Sequence, residues 1–519
     1  MPVRVRLLIL AALSGTAACA PADPPEGYYD GITGTDGPTI KSQLTTLTNQ
    51  AFTRSYGDAR NILQVTDEDP ANPANVILTY TGDSIVSTWT NGSTWNREHC
   101  WPRSLGVGDS GPDYSDLHML RPCNPSVNGS RGNLPFGSFP GRWDPDRYGQ
   151  KFRGEMARVV FYANTRYTYL NIALIGTQSE LVDWHFAQMP DADDRERNDR
   201  VQIYQQNRNP YVDRPEWVWP VFGDGPSDAS VTIAGSAAID LGSFIAGGDP
   251  VSTEIQLDKT GAAPTTYLVS VTGDAQSPAA TGYQAGFGRN AQSETITVSL
   301  ASGLGATQGT LLVDTTEITS AGPGQGSADP DDMVTFTAFG LEPSLASLDA
   351  GSAQTSAVID LGSIDVGSMA SVSVPVFNLA PASLGAALDI DSVLVTGGSG
   401  DVFITGAPVL GVAPGGQAML TLTVEPSAQG TIEASATIEV SDEDIPGETA
   451  GELTLTVLAR GVSPCPADTN GDGIVSPADF NAWIDAFNNQ RPECDVNGDG
   501  LCNPGDFNAW INAYNIGCP

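Results

Sequence analysis

Histidine and basic residues are scarce in this chain. Three histidines, His99, His118 and His185, serve 519 residues, and all lie in the first half, so imidazole-dependent chemistry is confined there. Lys and Arg number 24 against 61 Asp and Glu, a formal net charge of −37, and a chain uniformly that acidic would repel nucleic acid. The shortage is uneven: residues 21–227 carry 18 basic and 26 acidic residues, residues 228–519 only 4 and 35. Three-quarters of the basic residues therefore belong to one segment, 15 of them between Arg97 and Arg214, and a phosphate-binding cleft is allowed there. Long apolar runs are missing as well. After residue 20 no stretch of eighteen apolar residues occurs, which excludes a transmembrane helix from the mature part.

Arg4 and Arg6 precede the apolar run 7–13 and the small residues 14–20, the pattern of an export signal over residues 1–20. A secreted or cell-surface protein is expected, with lipidation at Cys19 the less favoured variant. Six cysteines remain after the signal: Cys100, Cys123, Cys465, Cys494, Cys502 and Cys518. An even count in an exported chain favours disulfides. A Cys100–Cys123 bridge is expected, and the last four cysteines permit three pairings, Cys465–Cys518 with Cys494–Cys502 among them.

A chain of this length holds several domains. Residues 21–227 mix aromatics, Arg and helical periods; Met156, Val159, Val160 and Ala163 at i, i+3, i+4, i+7 predict a half-buried helix. From 228 to 462 the chain turns Ser/Thr/Gly/Val/Ala-rich, with alternating runs such as 295–300 and 419–424 that predict short antiparallel strands. Ile239-Asp240-Leu241-Gly242-Ser243 recurs 120 residues later as Ile359-Asp360-Leu361-Gly362-Ser363. Two all-β sandwich domains, 228–341 and 342–462, follow from that repeat. The second resembles the immunoglobulin-like repeats of bacterial surface proteins, and a spacer or adhesive role is expected of both.

Residues 463–519 contain a second repeat, at an offset of 27. Asp468, Asn470, Asp472, Ile474 and Asp479 match Asp495, Asn497, Asp499, Leu501 and Asp506. Side-chain oxygens at loop positions 1, 3, 5 and 12, a backbone carbonyl at 7 and Gly at 6 suit a hard cation, so each loop is expected to hold one Ca2+. Apolar stripes follow, Phe480, Trp483, Ile484 and Phe487, then Phe507, Trp510, Ile511 and Tyr514, predicting two helices around a shared small core. The segment resembles a dockerin module, which implies tethering to a cohesin-like or cell-surface partner.

Chemistry is concentrated at 95–133. Glu98 precedes His99, and Asn128 and Arg131 lie in an Asn-Gly-x-Arg turn. Phosphodiester hydrolysis needs a metal against the phosphate charge, a base for water and a proton for the leaving alkoxide. Glu98 and Asn128 are hard oxygen ligands suited to Mg2+ or Mn2+, His99 suits a proton acceptor near neutral pH, and Arg131 suits a phosphate contact. Trp-Asn-Arg-Glu-His-x-Trp-Pro-x-Ser at 95–104, Asp-Leu-His-Met-Leu-x-Pro at 116–122, Val-Asn-Gly-Ser-Arg-Gly-Asn at 127–133, Ala157-Arg158 and Asn207-Arg208-Asn209-Pro210-Tyr211-Val212-Asp213 resemble the bacterial endonuclease I family.

The resemblance implies an α+β nuclease domain with a ββα-metal motif, cutting DNA and often RNA without sequence specificity to leave 5′-phosphate ends. It implies one divalent metal on Glu98 and Asn128 and His99 as general base. Arg103 and Arg131 are the candidates for the family's phosphate-assisting arginine. Asp116 and His118 are expected to orient or pack against the site rather than react, and His185 to be structural. Tyr162, Tyr167 and Tyr204, at helical spacing, are expected in the core rather than stacked on bases. The competing class is a surface-binding protein on an inactive nuclease fold, which the intact Glu98, His99 and Asn128 argue against. A phosphodiesterase for another phosphorylated polymer is the third reading.

Overall fold

The structure, a computed structural model, describes residues 24–223, 229–317, 331–462 and 465–517. The expected export signal, with Cys19, and the expected bridge partner Cys518 lie outside these residues. By contacts the chain divides into two compact units, Met1–Ile239 with Ser252–Ser299 and Gln308–Phe336, and Asp240–Val251 with Leu300–Thr307 and Thr337–Pro519. The segment read as the first sandwich thus contributes residues to both.

In the first unit the helices are cut by side-chain caps. α1 (Gly37–Thr48) starts where Asp36 accepts the Thr39 N–H at 2.9 Å, and α2 (Tyr56–Thr66) where Ser55 accepts that of Asp58 at 3.0 Å. Three short strands follow as an antiparallel sheet, β1 (Glu68–Asp69), β2 (Asn72–Ile77) and β3 (Ser84–Val86). β4 (Asn96–His99) and β5 (Leu120–Cys123) form a separate antiparallel pair, and the chain runs at once into α3 (Pro125–Arg131).

α4 (Arg153–Arg166) realises the predicted helix but is not half-buried. Met156, Val159, Val160 and Ala163 are at most 1% exposed, and Phe161 and Tyr162 on the other flanks are fully covered too. The helix is covered on several sides by its neighbours: α1 packs on one side, and α5 (Gln178–Ala187) and α7 (Pro210–Asp213) on others. Its buried arginines are neutralised, Arg158 by Asp194 on α6 (Ala192–Gln205) and Arg166 by Asp116 at 2.6 Å. α8 (Val218–Phe222) closes the core with Trp219 and Phe222.

The first β-rich segment does not stand apart from these helices as a spacer. Ala263 belongs to the same apolar core as Phe161 and Trp219. Strand Ala285–Phe287, beside Thr265–Gly273, lies against α5, so closely that a Cβ at Gly286 would meet the Phe186 carbonyl at 2.8 Å. Arg289 closes the contact: its guanidinium holds both Asp183 oxygens at 2.9 and 2.8 Å, and its N–H donates to Asp183 Oδ1 at 3.0 Å.

In the second unit, residues 346–462 form two sheets around one apolar core. One, in the order 346–347, 370–378, 417–424, 402–405, faces the other in the order 356–365, 450–462, 430–442, 388–397, 409–412. Val374, Leu420 and Leu422 meet Ile390, Ile438 and Leu455 inside, the alternate positions of strands with one solvated face. The C-terminal repeat forms α9 (Pro477–Asn488) and α10 (Pro504–Ile516), each opened by a capping box, Ser476 with Asp479 and Asn503 with Asp506. Trp483 and Trp510 are buried with Phe480 and Ile511 against them, whereas Ile484, Phe507 and Tyr514 stay over a third exposed. Two short helices are too small to cover the whole of both predicted stripes.

Candidate active site

β4, β5 and α3 bring the motif together. Asn96 pairs with Cys123 and Glu98 with Arg121 across the two strands. Asn124 starts α3 by accepting the Ser126 N–H at 2.9 Å, and Pro125 occupies a first-turn position where no N–H is needed. The helix then lays Asn128 and Arg131 along β4. Asn128 Nδ2 donates to Asn96 Oδ1 at 2.8 Å and to the Arg97 carbonyl at 3.4 Å; these acceptors orient the amide, so its Oδ1 is the atom left for a cation.

Glu98 is 2% exposed. Its Oε1 accepts from the Tyr80 hydroxyl at 2.9 Å and lies 3.3 Å from Arg131 Nη1. Burial holds its carboxyl above the usual value, opposed by the Arg131 charge and the Tyr80 hydrogen bond. A buried carboxylate in that state gains from a cation arriving beside it.

His99 Nε2 lies 3.0 Å from the Tyr114 carbonyl oxygen. A carbonyl only accepts, so Nε2 carries the proton and Nδ1 keeps a free lone pair. Tyr56 and Tyr114 stack near the ring at centroid distances of 5.5 and 5.2 Å, with interplanar angles of 22° and 20°. Burial pushes its pKa down to about 4, the Tyr114 carbonyl opposing and Arg103, Arg97 and Arg131 adding to the depression. The imidazole is therefore neutral at pH 7, the form that accepts a proton. A cleft of about 600 Å3 opens here, lined by Arg97, Glu98, His99, Arg103, Asn128 and Arg131 among others.

Two expectations are corrected by this geometry. Arg131 is 1% exposed and donates to the carbonyls of His99 at 3.1 Å and Cys100 at 2.8 Å; its fork is spent on the backbone and on Glu98, so it holds the site together and is not free to clamp a phosphate. Arg103, its side chain 47% exposed and paired with Asp109, is the presented one. Cys100 and Cys123 are both free and buried. Cys123 pairs with Asn96, four residues along β4 from Cys100, and four strand residues span roughly 13 Å, beyond the reach of a disulfide. Burial raises both thiols, Cys100 to about 12.

Asp116 and His118 sit behind the strands. Asp116 Oδ2 accepts from Tyr162 and Tyr167 at 2.9 Å each and pairs with Arg166, and His118 Nε2 lies 3.3 Å from the Asn207 carbonyl. His185 is fully buried with Nε2 3.0 Å from the Pro215 carbonyl. Tyr162 and Tyr167 are core residues, and Tyr204 is half-buried against the smaller apolar cluster.

The family model for endonuclease I matches residues 30–151 and 147–216, which span this whole constellation. An extracellular ribonuclease of Bacillus subtilis (strain 168) is 36% identical over 240 residues, 40% of this chain and 83% of that protein. One from Bacillus amyloliquefaciens is 34% identical over 236 residues, 39% of this chain and 81% of that protein. The chain belongs to the endonuclease I family. It is a nuclease hydrolase and a secreted one. An extracellular deoxyribonuclease of Aeromonas hydrophila is also similar, 26% identical over 155 residues, 25% of this chain and 64% of that protein. No helix among the described residues is long and apolar enough to cross a membrane.

Endonuclease I membership carries dependence on a divalent metal, and the residues at the cleft fit one. Glu98 and Asn128 offer two hard oxygens, few enough for a cation that retains water and takes a substrate phosphate oxygen. What the motif alone did not reveal in this endonuclease I site is its support. Asn96 and Arg97 lie inside the 95–104 block and were open to inspection; Tyr80, Tyr56 and the Tyr114 carbonyl are distant in sequence and carry no motif.

At the other end of the chain, both repeat loops gather their acids. Carboxylate oxygens of Asp468, Asp472 and Asp479 lie within 4.8 Å of one another, as do those of Asp495, Asp499 and Asp506. Asp468 accepts the N–H groups of Asp472 and Gly473, and Asp495 those of Asp499 and Gly500 in the same way. Asn470 and Asn497 sit between them, their side-chain oxygens accepting from Asp472 and Asp499. Ile474 and Leu501 follow with their N–H groups tied to Asp472 and Asp499. Cys494 and Cys502 are bridged, with Cα atoms 5.6 Å apart, and Cys465 is itself disulfide-bonded.

Proposed function

We propose that this protein hydrolyses phosphodiester bonds of DNA and RNA without regard to sequence, using one divalent metal, Mg2+ or Mn2+, and His99 as the general base, to leave 5′-phosphate ends. The observation that carries the reading is the tautomer of His99: Nε2–H is tied to the Tyr114 carbonyl, so Nδ1 of a neutral ring faces the work of accepting a proton. The strand–strand–helix run of β4, β5 and α3 supports a ββα-metal site. Similar proteins named as ribonucleases and as deoxyribonucleases support both polymers as substrates.

In this mechanism Glu98 and Asn128 hold the metal, which supplies positive charge against the scissile phosphate. His99 Nδ1 takes a proton from the attacking water as the water oxygen bonds to phosphorus, the bond from phosphorus to the 3′ oxygen breaks and that oxygen leaves with a proton taken from solvent, and the Tyr114 carbonyl steadies the imidazolium that forms. Arg103, on the exposed rim, contacts a phosphate oxygen, and Arg97 lines the same wall. Contacts of this kind read the backbone and leave sequence unread. At the C-terminus, the carboxylates of Asp468, Asp472 and Asp479 and of Asp495, Asp499 and Asp506 would each hold one Ca2+, in a dockerin-like module that would tether the enzyme to a cohesin-like or surface partner.

Plasmid nicking and RNA degradation with added Mg2+ or Mn2+ test the proposal. His99→Ala is expected to lower kcat by about 10²- to 10⁴-fold, and Glu98→Ala to abolish metal-dependent cleavage. Undiminished cleavage by both variants overturns the mechanism. No cleavage by the wild type in either metal would mark the chain as a binding protein on a nuclease fold.

A further inference from the structure

Lys41 and Arg142 face one cleft away from Glu98 and His99. The cleft, about 500 Å3, is lined by these two cations, by Asn164, Asn171 and Gln178 and by uncharged residues between them such as Ile172 and Thr177, with no carboxylate in its wall. Most arginines of the nuclease region are neutralised by acids: Arg121 by Glu155, Arg153 by Asp144, Arg158 by Asp194 and Arg197 by Asp67. Lys41 and Arg142 are held differently. Lys41 Nζ donates to the Asn164 side-chain oxygen and sits 4.9 Å from the Phe222 ring centroid, and the Arg142 guanidinium lies 5.3 Å from the Phe139 ring centroid. Neutral amides and rings position a cation without cancelling its charge. Asn171 adds a donor, because its Oδ1 is taken by the Ala173 N–H at 3.0 Å and its Nδ2 is left for an anion.

Packing links the segment that carries Asn171 to the rim of the active cleft. Arg103 and Gly108 line the active cleft. Gly106, between them, packs on Leu170 so tightly that a Cβ would meet Leu170 Cδ2 at 2.9 Å, and the Tyr169 hydroxyl donates to Asp113 at 2.8 Å. Leu170 is followed directly by Asn171, and Tyr169 on the same segment is 64% exposed, a flat ring available to an unpaired base.

We propose that the Lys41–Arg142 cleft is a second phosphate subsite, taking a backbone phosphodiester of the strand whose cleavage occurs at Glu98 and His99. This rests on the polynucleotide reading above. A long strand then bridges both clefts while a short one occupies only the first.

The test measures binding by fluorescence anisotropy on the full chain carrying His99→Ala, with Mg2+ present, using labelled single-stranded oligonucleotides of about 4 and about 20 nucleotides over a salt series. Lys41→Gln with Arg142→Gln is expected to weaken the long strand about tenfold or more and to flatten its salt dependence by about one to two charges, leaving the short strand unchanged. Asn171→Asp retains the Ala173 hydrogen bond while placing a negative charge in the wall, and should weaken the long strand in the same way without lowering Tm. Equal binding of the long strand by wild type and both variants overturns the subsite. So does competition by inorganic phosphate stronger than chloride at equal ionic strength combined with no dependence on strand length, which would assign the cleft to free phosphate. Plasmid cleavage by the wild type is scored separately: its absence removes the polynucleotide reading and the subsite with it, whereas retained cleavage with unaltered long-strand affinity removes the subsite alone.

Discussion

Arg131 Nη1 lies 3.3 Å from Glu98 Oε1, and both side chains are almost completely buried. The same guanidinium donates to the carbonyls of His99 and Cys100, so one side chain ties the Glu98 carboxylate and the His99 backbone to α3. The Arg131 charge opposes the upward push of burial on the Glu98 carboxyl, which still lies above its usual value.

Removing Arg131 and removing Arg103 should therefore have different effects. Arg131→Met leaves a buried carboxylate unpaired and is expected to cost about 3–5 kcal/mol of stability, read from urea unfolding. Arg103→Ala, at an exposed position, should leave the urea midpoint within experimental scatter and lower kcat/KM about tenfold or more. Equal losses of stability in the two variants would refute this division of labour.

Asp116 gives the nuclease region a defined acid sensitivity. Burial pushes its carboxyl up, but Arg166, His118 and the hydrogen bonds from Gln205 and the His118 N–H together bring it below the usual value. A group with a depressed folded pKa contributes stability that is complete above its unfolded value, about 3.9, and lost as pH falls through the folded one. Asp116→Asn is thus expected to be less stable than wild type by about 3 kcal/mol at pH 7, with the gap closing below about pH 4. A gap that stays constant down to pH 2 would count against the pairing.

Arg289 and Asp183 join the first β-rich segment to α5 through two side-chain hydrogen bonds and one from the backbone N–H. Both residues are partly exposed, so solvent screening limits the effect to about 1 kcal/mol. Arg289→Ala should lower the thermal midpoint of the nuclease core by a few degrees, and Asp183→Ala combined with it should add little. Fully additive losses would mean that the pair is not coupled.

Calorimetric titration of calcium into the decalcified protein is expected to find two sites, one per repeat loop. Asp472→Ala, in an exposed position of the first loop, should remove one and leave the other. EGTA should lower the unfolding temperature of the C-terminal helices without altering that of the nuclease core. Retention of both sites in the variant would overturn the assignment of the first loop.

Much of the proposed site was legible because its residues come from two short blocks. Glu98 and His99 are neighbours in β4, and Asn128 lies one turn into a helix that Asn124 and Pro125 announce. Capping residues, strand alternation and the duplicated loops are likewise local, and local chemistry is readable in order along the chain. The disulfide at Cys100 and Cys123 was misread for the converse reason: proximity in sequence says nothing of register, and the β4–β5 pairing places the two thiols about four residues apart along the ladder.

By itself, the order of residues determined the grouping of Glu98, His99 and Asn128 proposed to react, the two duplicated acidic loops, the helical period of α4 and the alternation of the β-rich region, because each depends on groups within a turn or a strand of one another. Only tertiary structure decided which arginine stands in solvent. Arg103 and Arg131 are equally charged as letters, and burial against Glu98 and two carbonyls is what withdraws the second from solvent. It also decided which ring nitrogen of His99 carries the hydrogen, through the Tyr114 carbonyl fifteen residues away, since a tautomer is set by the partner that the fold brings to the ring.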